Sequence, residues 1–271
     1  MSFKQSLAYW CLADTEWTWN AEQICQTAVE LGVAAVELAP PEAYPVIEKY
    51  KLKSALCFNG MPGAPFVKGL NNLSYHEEIF SRTKQSINTA SGYGFPNVIA
   101  FTGYKWRNAE DPTSGEIPLQ DCITNCVEGL SELASYAAKK NVTLCLEHLN
   151  SRVSSHPMKG HPGYQGDNLD VCAEIIRNVN SSNVKLLFDV YHVQVMHGDI
   201  ITRLNANKDI IGHIHTAGCP GRNELNNNQE INYPPIVKAI REIDYSGYIG
   251  HEFIPAGEAI AGFKEAVELF N

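Results

Sequence analysis

The sequence predicts an α/β protein with a single domain over residues 1–271, folded as a (β/α)8 TIM barrel. Short runs rich in β-branched and aromatic residues alternate with amphipathic stretches of helical period, a pattern typical of βαβ units and a parallel sheet. Eight such units are present, and a closed barrel of eight units occupies about 250 residues. An open, doubly wound sheet is the alternative, but no G-x-G-x-x-G follows the first strand.

Eight segments have the composition of buried strands, each a short apolar run bounded by polar or turn-forming residues. In chain order they are KQSLAYWCL (4–12), AAVELAP (34–40), KSALCFNG (53–60), NVIAFTG (97–103), TLCLEHLN (143–150), VKLLFDVYHV (184–193), IIGHIHTAG (210–218) and GYIGHEFIP (247–255). No linker and no internal repeat interrupts this series.

Amphipathic segments follow the strands, and they include AEQICQTAVELG, SRTKQSINTASGYG, CITNCVEGLSELASYAAKKN, PPIVKAIREID and GFKEAVELF. The second helix, around PEAYPVIEKY, is short and contains an internal proline. Two long loops, 59–74 after the third strand and 151–168 after the fifth, are expected on the catalytic face of the barrel.

Composition and charge exclude several classes of protein. The chain is 44% hydrophobic with a formal net charge of −9, so it is neither disordered nor a small disulfide scaffold. The negative charge and the lack of a polybasic run disfavour a nucleic-acid partner, which usually binds a basic face. No apolar run approaches the ~20 residues that cross a bilayer, and the first residues lack a secretory signal. We therefore expect neither a membrane nor a nucleic acid as partner.

The cysteines are scattered and form no C-x-x-C pair. The eight cysteines are Cys11, Cys25, Cys57, Cys122, Cys126, Cys145, Cys172 and Cys219. Several lie inside apolar segments, where a reduced cysteine behaves as a small hydrophobe. We therefore expect a reduced, cytoplasmic protein in which Cys122 and Cys126 pack one face of a helix.

Four polar residues follow apolar runs at the carboxyl ends of the fifth to eighth predicted strands: Glu147, Asp189, His215 and Glu252. In a barrel these strand ends face the active-site mouth. One acid alone would more often be a helix N-cap, but independent caps would not end four consecutive strands. Three acids in one pocket repel strongly, so we predict one divalent ion (Mn²⁺, Co²⁺, Mg²⁺ or Zn²⁺) between the four residues.

Other polar residues near these strand ends are expected to contribute little or nothing to the ion site. His213 and His215 are two apart, and we expect only His215 to face the barrel interior, with His213 against the helices. His148 and His251 each adjoin a predicted ligand, and alternation turns them away. Glu37 also ends a strand, but that strand lies across the barrel, so we expect a minor contribution from it.

Several motifs together resemble one known superfamily. LEHLN, FDVYH, GHIHTAGCPGR-x-E, EINYP and GYIGHEFIP resemble the xylose-isomerase-like barrels, and among them hydroxypyruvate isomerase and its relatives that isomerise 2-oxo-tetronates. The resemblance is sharpest from about residue 143 onward. It implies that the acids matching Glu147, Asp189 and Glu252 bind the metal with His215. The fourth ligand is histidine in ketose 3-epimerases and often glutamine in hydroxypyruvate isomerases, so His215 leaves both activities open.

The resemblance also implies residues that bind the substrate. His192 in DVYH, expected in the loop after the metal ligand, and Arg222 in CPGR would contact substrate oxygens, and Asn59 matches an asparagine of the third strand. The fifth-strand loop departs from the usual isomerase pattern. Its additional residues either alter substrate choice or are simply solvated: His156, Lys159 and His161.

The implied activity is a metal-dependent isomerase that converts hydroxypyruvate or a 2-oxo-tetronate to its aldehyde or 3-oxo isomer through an enediolate. Glu147 and Glu252 would be the catalytic acid and base. The alternatives are a ketose 3-epimerase, an inosose or dehydroshikimate dehydratase, a non-catalytic sugar-binding barrel and, against the net charge, an abasic-site endonuclease. The partners implied are a small sugar or keto-acid substrate and further copies of the chain, in a homodimer or a homotetramer.

Overall fold

The computed structural model describes residues 3–152, 154–155 and 160–271. In this part of the chain the strands are β1 (Lys4–Ala8), β2 (Ala35–Glu37), β3 (Lys53–Ser54), β4 (Asn97–Phe101), β5 (Trp106–Asn108), β6 (Asp111–Glu116), β7 (Thr143–Glu147), β8 (Val184–Asp189), β9 (Ile211–Thr216) and β10 (Tyr248–His251). The helices are α1 (Trp10–Ala13), α2 (Ala21–Glu30), α3 (Tyr44–Lys49), α4 (His76–Tyr93), α5 (Leu119–Ala138), α6 (Leu169–Val179), α7 (Val190–Met196), α8 (Ile200–Ala206), α9 (Tyr233–Glu242) and α10 (Ala259–Phe270).

Eight of the strands form one parallel sheet, in the order β3-β2-β1-β10-β9-β8-β7-β4. The two outer strands of this order also meet, because Cys57, just beyond β3, forms a parallel bridge with Val98 of β4. Two backbone hydrogen bonds of 2.9 Å close the seam, from Cys57 N–H to Asn97 O and from Ile99 N–H to Cys57 O. The sheet is therefore a closed barrel, and the predicted (β/α)8 fold is confirmed.

All eight predicted strands are found inside their predicted segments and end before the segments do, and two of these segments continue as helices. The segment 4–12 changes from β1 to α1 after Ala8, and the segment 184–193 changes from β8 to α7 after Asp189. An apolar run alone does not separate a buried strand from a buried helix that follows it. The antiparallel hairpin of β5 and β6 was not predicted, because DPTSGE contains proline, glycine and charges that strands disfavour.

The interior of the barrel has an apolar half and a polar half. The apolar cluster comprises Leu38, Leu56, Ile99, Phe101, Cys145, Leu149, Tyr164 and Leu187. On the side of β1, β2 and β9 the buried interior side chains are polar, namely Ser6, Glu37, His213 and His215. A second, larger apolar cluster includes side chains of both sheet and helices, and Cys122 and Cys126 of α5 are part of it, as predicted.

Local sequence rules set the helix ends. α2 begins with a capping box in which Asn20 accepts from the Gln23 N–H and the Gln23 side chain accepts from the Asn20 N–H. α4 ends at Gly94, whose φ of +66° is a left-handed conformation that glycine adopts at little cost. Within the described ranges, no helix has both the length and the apolar character needed to span a bilayer.

The burial of the thiols makes a first prediction. All eight cysteines are free and buried, and burial raises the pKa of Cys25 to about 11 and that of Cys219 to about 12. Because alkylation needs an accessible thiolate, we expect the native protein to react slowly with N-ethylmaleimide at neutral pH. Intact-mass spectrometry should show mainly unmodified chain before denaturation and eight adducts after it. Rapid formation of several N-ethylmaleimide adducts on the folded protein would contradict this burial.

Candidate active site

Four buried side chains converge at the carboxyl end of the barrel. Glu147 ends β7, Asp189 ends β8, His215 is the penultimate residue of β9 and Glu252 directly follows β10. His215 Nδ1 lies 2.9 Å from Glu252 Oε2 and 3.4 Å from Glu147 Oε1. One ligand atom from each of the four residues lies within 4.8 Å of the others. The structure therefore brings together all four residues predicted from the strand ends.

Asp189 has two roles in this arrangement. Its Oδ1 accepts hydrogen bonds from the N–H groups of Tyr191 at 2.7 Å and His192 at 3.1 Å, in the first turn of α7. Its Oδ2 lies 3.5 Å from Arg222 Nη2, on the side of the other acids. One carboxylate thus caps a helix and contributes negative charge to the site.

Arg222 provides a fixed positive charge beside the acids. Its Nη2 donates to Glu252 Oε2 at 2.5 Å and lies 3.5 Å from Asp189 Oδ2. The guanidinium also lies 5.6 Å from the ring centroid of Trp10 and 5.4 Å from that of Tyr191, distances typical of cation–π contacts. The backbone of Arg222 has φ +56°, a strained conformation for a residue with a side chain, and such strain is concentrated at functional sites.

The two glutamates differ in how firmly they are held. Trp10 Nε1 donates to Glu252 Oε1 at 2.8 Å, so both carboxylate oxygens of Glu252 have donors. Glu147 Oε1 is buried and has no hydrogen-bond partner among the described residues. The backbone oxygen of Glu147 accepts from Tyr164 Oη at 2.7 Å, which fixes the end of β7 but leaves the carboxylate less restrained.

The prediction for His213 was wrong. His213 faces the barrel interior, where its Nε2 lies 3.0 Å from Glu37 Oε2, and His215 Nε2 lies 2.6 Å from Glu37 Oε1. Side chains alternate along a strand, so residues two apart share a face. Glu37, for which we expected a minor contribution, contacts both imidazoles from β2.

Burial and neighbouring charges together set the pKa values of the three acids. Burial raises the pKa of Glu147 to about 7 and also raises that of Asp189 above its ordinary value. Burial opposes ionisation of Glu252 as well, but the charges of His215 and Arg222 outweigh it and lower the pKa of Glu252 to about 2. Anionic carboxylates in a shared low-dielectric space need cations beside them, so the site favours a bound positive charge.

The donor set fits a divalent metal ion. Three carboxylates and one imidazole are ligands that Mn²⁺, Co²⁺, Mg²⁺ or Zn²⁺ accept. Glu147 Oε1 and His215 Nδ1 lie 3.4 Å apart, yet neither has a hydrogen-bond partner in the described part of the chain. When His215 is neutral, close approach without hydrogen-bond geometry is expected of lone pairs that point to a common centre. Glu147, Asp189, His215 and Glu252 would hold this ion.

A cavity of about 340 Å³ lies at this mouth of the barrel, with Glu147, Glu252 and Arg222 among its polar lining. Its apolar lining comprises Trp10, Leu38, Phe58, Ala64, Pro65, Phe66, Ile99, Phe101 and Leu149. The two long loops meet here, since the rings of Phe66 and His161 have centroids 4.0 Å apart. The cavity can therefore hold a small molecule with its polar groups toward the acids.

Two predicted substrate-binding residues lie outside the cavity lining. His192 is in the first turn of α7 rather than in a loop, and its Nδ1 accepts from the Asn150 N–H at 3.1 Å. Asn59 directs its Oδ1 to the Met61 N–H at 3.1 Å. Neither side chain is among the residues that line the cavity in the described part of the chain. Arg222, by contrast, lines it.

The residues added by the fifth-strand loop are only partly described. His161 lines the cavity beside Phe66. His156 and Lys159 lie outside the described residues.

Sequence reasoning missed Trp10 and the aromatic lining of the cavity. Trp10 lies just beyond β1, at the same end of the barrel as the acids. A search of strand ends that included tryptophan as an N–H donor would have found it. Phe58 follows β3 in the same way, whereas Phe66 comes from a loop and carries no such signal.

Comparison with known proteins gives consistent results. A family model described as a xylose isomerase-like TIM barrel matches residues 25–271. The 2-oxo-tetronate isomerase of Cupriavidus necator is 34% identical over 141 residues, which are 52% of this chain and 51% of that protein. The hydroxypyruvate isomerase of Escherichia coli K12 is 25% identical and covers 88% of this chain and 90% of that protein. The chain spans about half the length of some curated relatives that it matches.

Solved structures share the architecture. A crystal structure named AP endonuclease, family 2, from Brucella melitensis superposes with a TM-score of 0.81 over 100% of both chains. Its sequence identity of 20% limits this likeness to the fold.

The geometry predicts one divalent ion per chain, bound tightly enough to raise the melting temperature. Asp189→Asn keeps a side-chain oxygen for the helix cap but removes the charge, so Mn²⁺ affinity should fall at least about tenfold. Isothermal titration calorimetry of the metal-stripped protein measures both the stoichiometry and the affinity. Asp170→Asn, in the exposed first turn of α6, is the matched control and should bind as the wild type does. Equal affinity of the Asp189 variant and the control would contradict the site.

Proposed function

The chain belongs to the xylose isomerase-like TIM barrel family, and on this premise we propose that it is a metal-dependent isomerase of a short keto acid. The substrate would be hydroxypyruvate or a 2-oxo-tetronate, converted to its aldehyde or 3-oxo isomer through an enediolate. The names of two relatives, a 2-oxo-tetronate isomerase and a hydroxypyruvate isomerase, support this class of reaction.

One observation carries the proposal: two carboxylates approach His215 from both sides of β9. Glu252 follows β10, the neighbour of β9 on one side, and Glu147 ends β7, two strands away on the other. A substrate carbon between these acids would have one carboxylate on each side. That arrangement suits removal of a proton by one acid and its return, at the next carbon or on the opposite face, by the other.

Each acid has a property suited to proton transfer. Glu147 is buried and one oxygen of its carboxylate has no hydrogen-bond partner among the described residues, so this oxygen is available to take up a proton. Glu252 is ionised and oriented by Trp10 and Arg222. A bound divalent ion would polarise the carbonyl and the neighbouring hydroxyl of the substrate.

Arg222 is suited to meet the negative charge that develops on a substrate oxygen. Its guanidinium is fixed by Glu252 and by two aromatic rings before any substrate arrives. A charge that is already oriented stabilises a transition state without the cost of reorganisation. The planar fork of arginine also suits a carboxylate, which both substrate candidates carry.

The apolar lining of the cavity supports a reaction shielded from water. Side chains such as Phe58, Phe66 and Phe101 surround the space beside the acids. Exclusion of water strengthens the electrostatic interactions within the site and protects an enediolate from protonation by solvent.

Proton NMR in D₂O with Mg²⁺ tests the activity and separates the candidates. Metal-dependent exchange of a C–H beside the carbonyl of hydroxypyruvate or a 2-oxo-tetronate, with a new aldehyde or 3-oxo isomer, supports the proposal. A new diastereomer from a ketose pool would instead identify a 3-epimerase, for which the same opposed acids are suited. Loss of water to give an unsaturated product would identify a dehydratase. Either of the last two results without keto-acid turnover would contradict the isomerase.

The acid–base pair gives a further prediction. Glu147→Gln and Glu252→Gln should each lower kcat by about 10²–10⁴-fold, because a carboxamide cannot act as a general acid or base at neutral pH. Coupled assays with saturating metal, together with the D₂O exchange rate, measure this loss. Glu132→Gln, on the exposed face of α5 beside Lys84, is the control and should be unaffected. Near-normal turnover in either site variant would exclude that residue as acid or base.

A further inference from the structure

Glu37 contacts three polar side chains beneath the proposed metal site. It is fully buried in the barrel, and its Oε1 lies 2.6 Å from His215 Nε2. Its Oε2 lies 3.0 Å from His213 Nε2 and accepts from Ser6 Oγ at 2.5 Å. Three strands, β1, β2 and β9, are thus tied to one carboxylate.

The absence of a side chain at Gly250 makes this reach possible. Gly250 of β10 is the register partner of both Ser6 and His215, so its inward position lies between them. A Cβ on Gly250 would overlap the carboxylate of Glu37. The carboxylate of Glu37 therefore occupies the space that any other residue at position 250 would fill.

The two ring nitrogens of His215 face different partners. Nδ1 faces Glu252 and Glu147, and Nε2 faces Glu37. A neutral imidazole has one N–H and one lone pair, and the hydrogen bond made by one nitrogen decides which is which. Donation of Nε2–H to Glu37 leaves the lone pair on Nδ1, where the other ligand atoms converge.

We propose that Glu37 is a positioning residue that fixes the tautomer and ring orientation of His215, so that Nδ1 is presented to the metal ion. This inference rests on the proposed metal site. A histidine ligand commonly donates its other N–H to a carboxylate, and loss of that carboxylate typically costs 10–100-fold in metal affinity.

The contacts of Glu37 with His215 and Ser6 are hydrogen bonds, as expected of a positioning carboxylate rather than of a second metal centre. Two ligand atoms that bind one metal ion at bond lengths of about 2.0–2.2 Å lie about 3 Å or more from each other. The 2.6 Å separation of His215 Nε2 and Glu37 Oε1 is shorter than that and fits a shared proton. Ser6 adds a further donor to the same carboxylate. His213 Nε2 lies 3.0 Å from the second oxygen of Glu37 without hydrogen-bond geometry, so the hydrogen bond from Ser6 is the one that keeps the first oxygen aimed at His215.

Mn²⁺ titration of metal-stripped, full-length protein tests the proposal. Glu37→Met keeps the volume but removes the acceptor, and its Mn²⁺ affinity should fall about 10–100-fold. Glu37→Gln retains one carbonyl oxygen for His215 and should lose less. Gln5→Met is the matched control, because Gln5 is buried on β1 but hydrogen-bonds to Val267, Asn271 and His251 rather than to the site.

A purely structural role of Glu37 would give a different pattern. The control removes three hydrogen bonds, two of them buried, and should lower the melting temperature while leaving Mn²⁺ affinity at the wild-type value. Wild-type affinity in Glu37→Met, an equal loss in Gln5→Met, or two ions per wild-type chain would overturn the inference. If the wild type itself binds no divalent ion, the proposed function fails as well, and this result is recognised before any variant is compared.

NMR of ¹⁵N-histidine-labelled protein with bound Zn²⁺ reports the tautomer directly. The signal of His215 is identified by its loss in His215→Asn. A proton on Nε2 in the wild type, with Nδ1 as the metal-bound nitrogen, is the expected result. A proton on Nδ1, or an unchanged His215 signal in Glu37→Met, would overturn the proposal.

Discussion

The burial of three carboxylates around one point at the barrel mouth is the constraint on which the rest of the site depends. Glu147, Asp189 and Glu252 are each almost inaccessible to water, and anions so placed require positive charge close by. Arg222 supplies one part of it and is itself held by aromatic rings and a strained backbone. A protonated His215 supplies another part, and a divalent cation held by the neutral imidazole and the acids would replace it. Electrostatics, more than cavity shape, is therefore the feature of this end of the barrel that supports the proposed metal site.

The polar side of the barrel interior is organised in two levels. The upper level contains the acids and the Nδ1 edge of His215, and the lower level contains Glu37, His213 and Ser6. His215 belongs to both, so its ring transmits the geometry of the lower level to the upper one. The lower level is fully enclosed and fixed by residues of three strands. A site built on strands in this way has less freedom than one built on loops.

The barrel and its four converging strand ends could be predicted from the sequence, because alternation of strands and helices repeats eight times and each polar residue ends an apolar run. The places where prediction failed have physical causes. His213 and His215 are two residues apart on one strand and therefore share its inward face, so His213 lies in the interior and not against the helices. The contacts of Glu37 could not be foreseen, since they depend on barrel closure and on a missing Cβ at Gly250. The hairpin of β5 and β6 buries too little apolar surface to leave a pattern, and Phe66 reaches the cavity from a loop.

The double use of Asp189 has a consequence for how this protein can evolve. Acids clustered for function usually reduce stability, and their replacement often makes an enzyme more stable but less active. At Asp189 the carboxylate also ends the helix α7 with two backbone hydrogen bonds. Most substitutions would therefore lose the cap together with the charge. If Asp189 binds the proposed ion, selection for a stable fold and selection for activity oppose most substitutions at this position together, and asparagine is the exception because it keeps the cap without the charge.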